Sequence, residues 1–395
     1  MSKKLLIVSH SPYSVGGIET QLRWFYKECV DSELLKPTVL CVAKRTPDGC
    51  EWSSGKPLVE DVENARFFSF NGVDTIVVKT KARHPLEKAR ALRECLEKIS
   101  NKYDILQLVS GTALLGICLA ELKLPYFTWT ATTLDSEESS KNAGEFSLKL
   151  AWKQLRYYFR KSHLQKAELS VLEHAIQNFV ISQFTANSLA EEYPSLDKTT
   201  VIPIPIATPI EGREEETIVG RIIWAGRPSD SRKDLPTLFR AFKKVVEKAP
   251  NARLVLMGGQ VPGNLKKMAK ELGIDAFIDY LGRVDSPPSE FAKADIAVMS
   301  SLQEGQCLAL LEAMALGVPP VSTKSGGPEG FIVEGENGLL VEKRDQEALS
   351  KAIVRLITDR ALRDNLGKAA KQTVLNDFSP DFIFERVLSF YGLND

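Results

Sequence analysis

The chain reads as an α/β protein built of two βαβ domains, each around a largely parallel sheet. Three observations predict this. Short apolar runs alternate with longer amphipathic ones along the sequence, the pattern of strands joined by crossover helices. A proline-rich stretch interrupts the alternation, which then restarts. The 395 residues also exceed one ordinary core, at about 100–200 residues per domain.

The elements follow in order. LLIVSH (5–10) is a buried strand, and IETQLRWFYKECV (18–30) has helical spacing. TVLCVA (38–43), DTIVVK (74–79), DILQLV (104–109) and PYFTWTA (125–131) are further strands, with a helix over 86–99. SLKLAWKQLRYYFRKSHLQKAELSVLEHA (147–175) is a long helix, basic in its first half. It suits a surface helix resting on a membrane or an anionic acceptor; it equally suits a domain helix with a solvated basic face. TTVIPIPIATPIEGREEETI, beginning at 199, carries three prolines and then a charge cluster, which suits neither a helix nor a central strand. The expected organisation is a first domain over 1–200, a hinge over 201–217 and a second domain over 218–378. In the second, RIIWAG (221–226), RLVLMGG (253–259), FIDYLG (277–282), DIAVMS (295–300) and PPVSTKSGG (319–327) read as strand-centred segments.

Composition excludes several classes. Lys+Arg and Asp+Glu balance at 51 each, so no global field draws nucleic acid. No apolar run reaches the ~18 residues of a spanning helix. The apolar run after MSKK is too short for a signal segment and reads as a first strand. Six scattered cysteines with no Cys-x-x-Cys pair fit reduced thiols in a cytoplasmic protein. His10, His84, His163 and His174 have no metal-ligand spacing, and no Asp-x-Asp, P-loop or Gly-x-Ser-x-Gly elbow occurs.

Three constellations can carry chemistry. In SPYSVGGIETQ (11–21), Gly16 and Gly17 lie between the first strand and the first helix. Glycine admits close backbone approach, and a helix start offers free N–H groups; alone, the pattern is equally a tight turn. His10 ends the strand beside this pair. In AGRPSDSRKDLPTLFRAF (225–242), Arg227 follows a strand after Gly226, and Lys233 precedes a helix. Two cations at the carboxyl end of a parallel strand suit a diphosphate, although spacing alone fits solvated loop charges as well. In EGQCLALLEAMALGVPP (304–320), Glu304 falls in the loop after a strand and Glu312 within the following apolar helix. The N–H groups of Gln306, Cys307 and Leu308 start that helix without intrahelical partners and can hold a phosphate. The two carboxylates can then accept from hydroxyls on either side of it. A sugar–diphosphate–ribose has that polarity.

These residues carry a resemblance. The run from Tyr280 to Glu342 is similar to the donor-binding half of retaining GT-B glycosyltransferases of the large group with a Glu-x7-Glu motif, here Glu304 and Glu312. Gly326, Gly327, Glu329 and the Asn337–Val341 segment match its trailing motifs, and Gly226-Arg227 with Lys233 resembles its Gly-Arg…Lys pair. The resemblance is most specific over 220–342. It implies a GT-B fold, two Rossmann-like domains facing across a cleft, with the last helix (379–395) returning to the first domain. It implies transfer of a sugar from a nucleotide diphosphate sugar to a hydroxyl acceptor, with retention and without a bound metal or other cofactor. The acceptor would be a carbohydrate or lipid-linked molecule of surface polysaccharide or glycolipid assembly, met in the cytoplasm or at the membrane's inner face. Arg227 and Lys233 would neutralise the diphosphate, Gln306, Cys307 and Leu308 cradle a phosphate, Glu312 take the ribose and Glu304 the transferred sugar. Val284 would edge the base, and Gly16 and Gly17 would close on the donor. The chain departs from the family after PYFTWT, where a histidine is common; Thr130, Thr132, Thr133 or His10 would have to serve, or the chemistry tolerates the loss. Gln306-Cys307 also stands where Phe-Gly is frequent. A catalytically inert partner subunit and a nucleotide-sugar epimerase are the rival readings.

Overall fold

The computed structural model describes residues 2–9, 17–43, 55–57, 62, 65–70, 72–82, 85–134, 148–207, 220–284 and 286–393. The chain divides into two compact units. One combines Met1–Glu138, Phe146–Ile202 and Phe384–Asp395; the other is chiefly Pro203–Ile383. Of the expected hinge, 208–217 lies outside the described residues.

The first unit is built on a nine-stranded sheet. Its strands are β1 (Lys3–Ser9), β2 (Leu35–Ala43), β3 (Lys56–Pro57), β4 (Ala65–Phe70), β5 (Val73–Lys79), β6 (Ile105–Ser110), β7 (Phe127–Thr130), β8 (Gln177–Val180) and β9 (Thr199–Val201). They lie in the order β3-β4-β5-β2-β1-β6-β7-β8-β9. All neighbours are parallel except β3–β4 and β4–β5. Leu5 to Val8 are wholly buried, because both faces of a parallel sheet are covered, so β1 reads as a continuous apolar run. β8 gave no such signal. Its Asn178 is buried and ties strand to helix, accepting from Thr128 Oγ1 at 2.7 Å and donating to Leu172 O at 2.9 Å. The helix expected over 86–99 is broken into Pro85–Arg90 and Arg93–Ile99.

The long helix runs Leu148–His174; the side chains of its basic first half lie outside the described part. Among the described residues, no helix is long and apolar enough to cross a membrane. The helix Pro380–Phe390 supplies the last piece of this unit's core. The Phe384 ring lies 6.5 Å from Trp24 and 6.3 Å from Phe25, and Tyr391 lies 4.9 Å from Phe127. Tyr391 Oη donates to Gln107 Oε1 at 2.7 Å.

The second unit has a wholly parallel six-stranded sheet: β10 (Arg221–Ala225), β11 (Arg253–Met257), β12 (Ile278–Gly282), β13 (Ile296–Met299), β14 (Pro320–Thr323) and β15 (Leu339–Val341). The order β12-β11-β10-β13-β14-β15 is the doubly wound arrangement. It reverses direction between β10 and β13, and the crevice beyond that reversal is where such sheets take ligands. Helix Leu235–Lys248 buries Leu235, Leu238, Phe239 and Phe242, a 3.6-residue stripe turned to the sheet.

Candidate functional site

The reversal point brings together the loops that follow β10 and β13. β10 runs into Gly226 and Arg227. Gly226 donates to Met257 O at 2.9 Å. A Cβ at Gly258, whose φ is +119°, would meet Gly226 O at 2.2 Å, so a glycine is needed where these backbones touch. Asp230 then organises the turn. It accepts from Arg232 N at 3.1 Å and from the Arg232 guanidinium at 2.9 and 2.6 Å. Burial alone would raise the Asp230 carboxyl, but the Arg232 hydrogen bonds and charge hold it below its ordinary value. Arg227 reaches the same carboxylate only loosely, at 3.4 Å, with its side chain 74% exposed.

The loop after β13 is bonded to that turn. Leu302 N donates to Arg232 O at 2.7 Å, and Ser300 Oγ to Lys233 O at 2.8 Å. Lys233 Nζ meets Glu304 Oε1 at 2.6 Å, with the side chains 15% and 10% exposed. Ser301 Oγ donates to the same oxygen at 2.5 Å. Burial works against charge on Lys233, but the adjacent Glu304 outweighs it and the ammonium is held above its usual range. The backbone of Glu304 is pinned too: its N–H donates to Ser325 O at 2.8 Å, and its carbonyl accepts from Gly327 at 2.9 Å. A Cβ at Gly327 would fall 2.6 Å from Gly305 O, which explains the glycine there.

The apolar helix begins at Leu308 and ends at Ala315. Its N-cap, Cys307, is left-handed at φ 64°, ψ 61°, which costs a non-glycine residue roughly 1–2 kcal/mol. Among the described residues, no acceptor takes the N–H groups of Gln306, Cys307 or Leu308. The helix starts later than the sequence suggests, and Gln306 lies outside it. The Gln306 side chain is buried and bonded to Ile204 twice, accepting from its N–H at 2.8 Å and donating to its carbonyl at 2.7 Å. Glu312 lies one turn into the helix, half-buried, with no partner among the described residues. Burial pushes its carboxyl up to about 7.

The structure thus gathers Gly226, Arg227, Lys233, Glu304, Gln306, Cys307, Leu308 and Glu312 on one edge of the second sheet. Val284 stands just past β12, half-buried against the core. In the first unit, Gly17 opens the helix Gly17–Asp31; Gly16 and His10 lie outside the described residues. Thr130 ends β7 with its Oγ1 buried and without a partner among the described residues, and Thr132 Oγ1 donates to Thr133 O at 3.3 Å. Sequence reasoning passed over Glu168, a buried carboxylate that organises the loops after β6 and β7. It accepts from Ala113 N and Leu134 N, each at 3.2 Å, and from Tyr193 Oη at 2.9 Å. Burial pushes it up to about 7. A lone glutamate on a helix gives no sign of such a role. The Gln306 grip was equally hidden, because its partner is a backbone 102 positions away.

A doubly wound domain with cations, free helix-start amides and two glutamates at its reversal point has the features that suit a phosphorylated ligand. Residues 221–373 match the family described as Glycosyl transferases group 1. The chain is 32% identical over 212 residues to the lipopolysaccharide core biosynthesis glycosyltransferase LpsE of Rhizobium meliloti (strain 1021), covering 53% of this chain and 56% of that protein. It is 30% identical to the capsular polysaccharide biosynthesis glycosyltransferase CapM of Staphylococcus aureus over 44% of each. The chain therefore spans about half the length of these curated relatives. Among solved structures, sucrose-phosphate synthase from Thermosynechococcus elongatus superposes with a TM-score of 0.77 at 18% identity, covering 99% of this chain and 98% of that one. Anabaena HepE in complex with UDP and glucose superposes with a TM-score of 0.75 at 17% identity over 99% of each. The fold is GT-B.

Proposed function

We propose that the chain is a retaining glycosyltransferase that moves a sugar from a nucleotide diphosphate sugar to a hydroxyl of a carbohydrate or lipid-linked acceptor, in surface polysaccharide or glycolipid assembly. One observation carries the reading: three unbonded amides at Gln306–Leu308 open beside the buried Lys233–Glu304 pair, at the reversal point of a doubly wound sheet. Amides and a fixed ammonium stabilise a diphosphate. The relatives named for lipopolysaccharide and capsule synthesis support the acceptor class.

In this reading the bond from the sugar's anomeric carbon to the diphosphate oxygen breaks, and a bond to the acceptor oxygen forms on the same face. The leaving phosphate takes the acceptor's proton. Lys233, Arg227 and the amides of Gln306, Cys307 and Leu308 stabilise the charge that collects on the leaving diphosphate, the largest catalytic contribution. Glu312 accepts from the ribose hydroxyls. Glu304, released from Lys233 as the diphosphate takes over that cation, accepts from the transferred sugar. Val284 edges the base. Thr130 or Thr132 stands in for the histidine common in the family.

Thermal shifts with UDP, GDP, ADP and dTDP test the donor site: a ligand at ~100 times its Kd adds about 2.7 kcal/mol of stability. A shift with one nucleotide, lost in a Glu312→Ala/Lys233→Ala double variant, is expected. Lys233→Ala should lower turnover about 10²-fold or more; unchanged turnover would remove Lys233 from the mechanism. Slow hydrolysis of the donor without acceptor separates this reading from an inert partner subunit, which would show none.

A further inference from the structure

The two hydrogen bonds between Gln306 and Ile204 are the feature the reaction scheme does not use. Ile204 lies between Pro203 and Pro205, which have no N–H. Its amide is therefore the sole backbone donor in that triplet, and a buried one needs an acceptor. Gln306 answers its N–H and its carbonyl together, as a neighbouring strand would, at 2.8 and 2.7 Å. The next residue with an N–H, Ile206, donates to Phe378 O at 2.9 Å. The segment that Gln306 grips is thus itself fixed to the second unit. On the other side of Gln306, the chain turns at once into the left-handed Cys307. A cysteine has no preference for that conformation, and no side-chain cap is formed there, so its surroundings must impose it. Downstream, Leu310 and Leu311 are packed in the core; upstream, Glu304 is held by Lys233, Ser301, Ser325 and Gly327, and the buried side chain next to the turn itself is that of Gln306.

We propose that Gln306 is a positioning residue of the nucleotide site: by gripping Ile204, its side chain holds the Cys307 turn in the conformation that leaves three amides free for a diphosphate. The proposal rests on the donor-site reading above. It assigns Gln306 a role through its side chain, and it explains how a Gln-Cys pair serves where glycine would adopt the turn unaided. By linkage, whatever binds the turn also steadies the gripped segment. Bound nucleotide should therefore slow hydrogen exchange at the Ile204 amide, a site distant in sequence from the turn.

The test uses the full chain with UDP, GDP, ADP and dTDP as probes, read by titration calorimetry and amide exchange, together with a crystal structure of the Gln306→Leu protein without nucleotide. Three results are expected. Cys307 leaves positive φ in Gln306→Leu. Affinity for the nucleotide that binds wild type falls at least ~10-fold, and Cys307→Gly added to that variant recovers most of the loss, because glycine regains the turn without the grip. Nucleotide slows Ile204 exchange in the wild type and not in Gln306→Leu. If that variant does not fold, Gln306→Glu at pH 8 replaces it. It keeps the bond from Ile204 N–H but sets an oxygen against the Ile204 carbonyl, and the same ~10-fold loss is expected. A merely structural glutamine would lower thermal stability without rescue of affinity by Cys307→Gly. Equal nucleotide binding by wild type and variants, or a Cys307 that keeps its positive φ, overturns the proposal alone. A wild type that binds none of the four nucleotides is a different result: it overturns the donor-site reading and this proposal with it.

Discussion

Glu312 concentrates the residue-scale consequences. Its carboxyl is half-buried in an apolar helix with no cation beside it among the described residues, and burial pushes it up to about 7. In the proposed role of acceptor for ribose hydroxyls, the ionised carboxylate is the stronger acceptor. Nucleotide affinity should therefore fall as pH drops through about 7, and this dependence should flatten in Glu312→Gln; calorimetric titration from pH 6 to 8.5 measures both. Glu168 gives a stability counterpart. Its folded-state value, about 7, lies above the ordinary glutamate value, so between the two the native state holds a proton the unfolded chain has released. Stability from this group is then present at acid pH and lost as pH rises toward and through 7. Glu168→Gln should lessen that decline in urea midpoints measured from pH 5 to 8. That Glu304, Glu312, Arg227 and Lys233 fall on the loops and helix beside the reversal point was legible in sequence, because residue type and spacing carry it. Their pairing was not: that Lys233 holds Glu304 while Arg227 stays exposed depends on the zipping of two loops about 70 positions apart.

At the scale of elements, the site is a product of backbone contacts between neighbouring loops. Gly327 lets the segment after β14 lie against Gly305 and accept its place beside Glu304. Gly327→Ala would put a methyl 2.6 Å from a carbonyl oxygen and should cost about 1–3 kcal/mol. Because the displaced segment is the one that seats Glu304, nucleotide affinity should fall as well. Thermal melts with and without nucleotide separate the two effects. Buried parallel strands announced themselves as unbroken apolar runs, as at β1 and β10. The strands that escaped notice are β3 and β4, an antiparallel addition, β8, with its buried asparagine, and β9 and β15, three-residue edges. In each the local pattern is weak and pairing partners decide the conformation. The break in the helix expected over 86–99 likewise left no mark in its apolar spacing.

For the whole molecule, the two units differ in how the chain builds them. The second is nearly continuous in sequence, from Pro203 to Ile383, whereas the first is closed by residues from 384 onward. Phe384 and Tyr391 fill its aromatic core against Trp24, Phe25 and Phe127. Phe384→Ala should cost about 3–5 kcal/mol, expressed in the first unit: tryptophan fluorescence from Trp24 and Trp129 should report the loss. This closure bears on the order of events at the ribosome. Synthesis is vectorial, and domains tend to fold as they emerge. Here the segment made first cannot complete its core until residue 391 has been made and released from the exit tunnel. By then the intervening unit has had its full sequence available for folding. The amino-terminal sheet must wait, with an apolar gap where Phe384 and Tyr391 will sit, for the duration of some two hundred further peptide bonds. Chaperone capture of nascent chains should peak in that interval and fall once the final helix is free to dock.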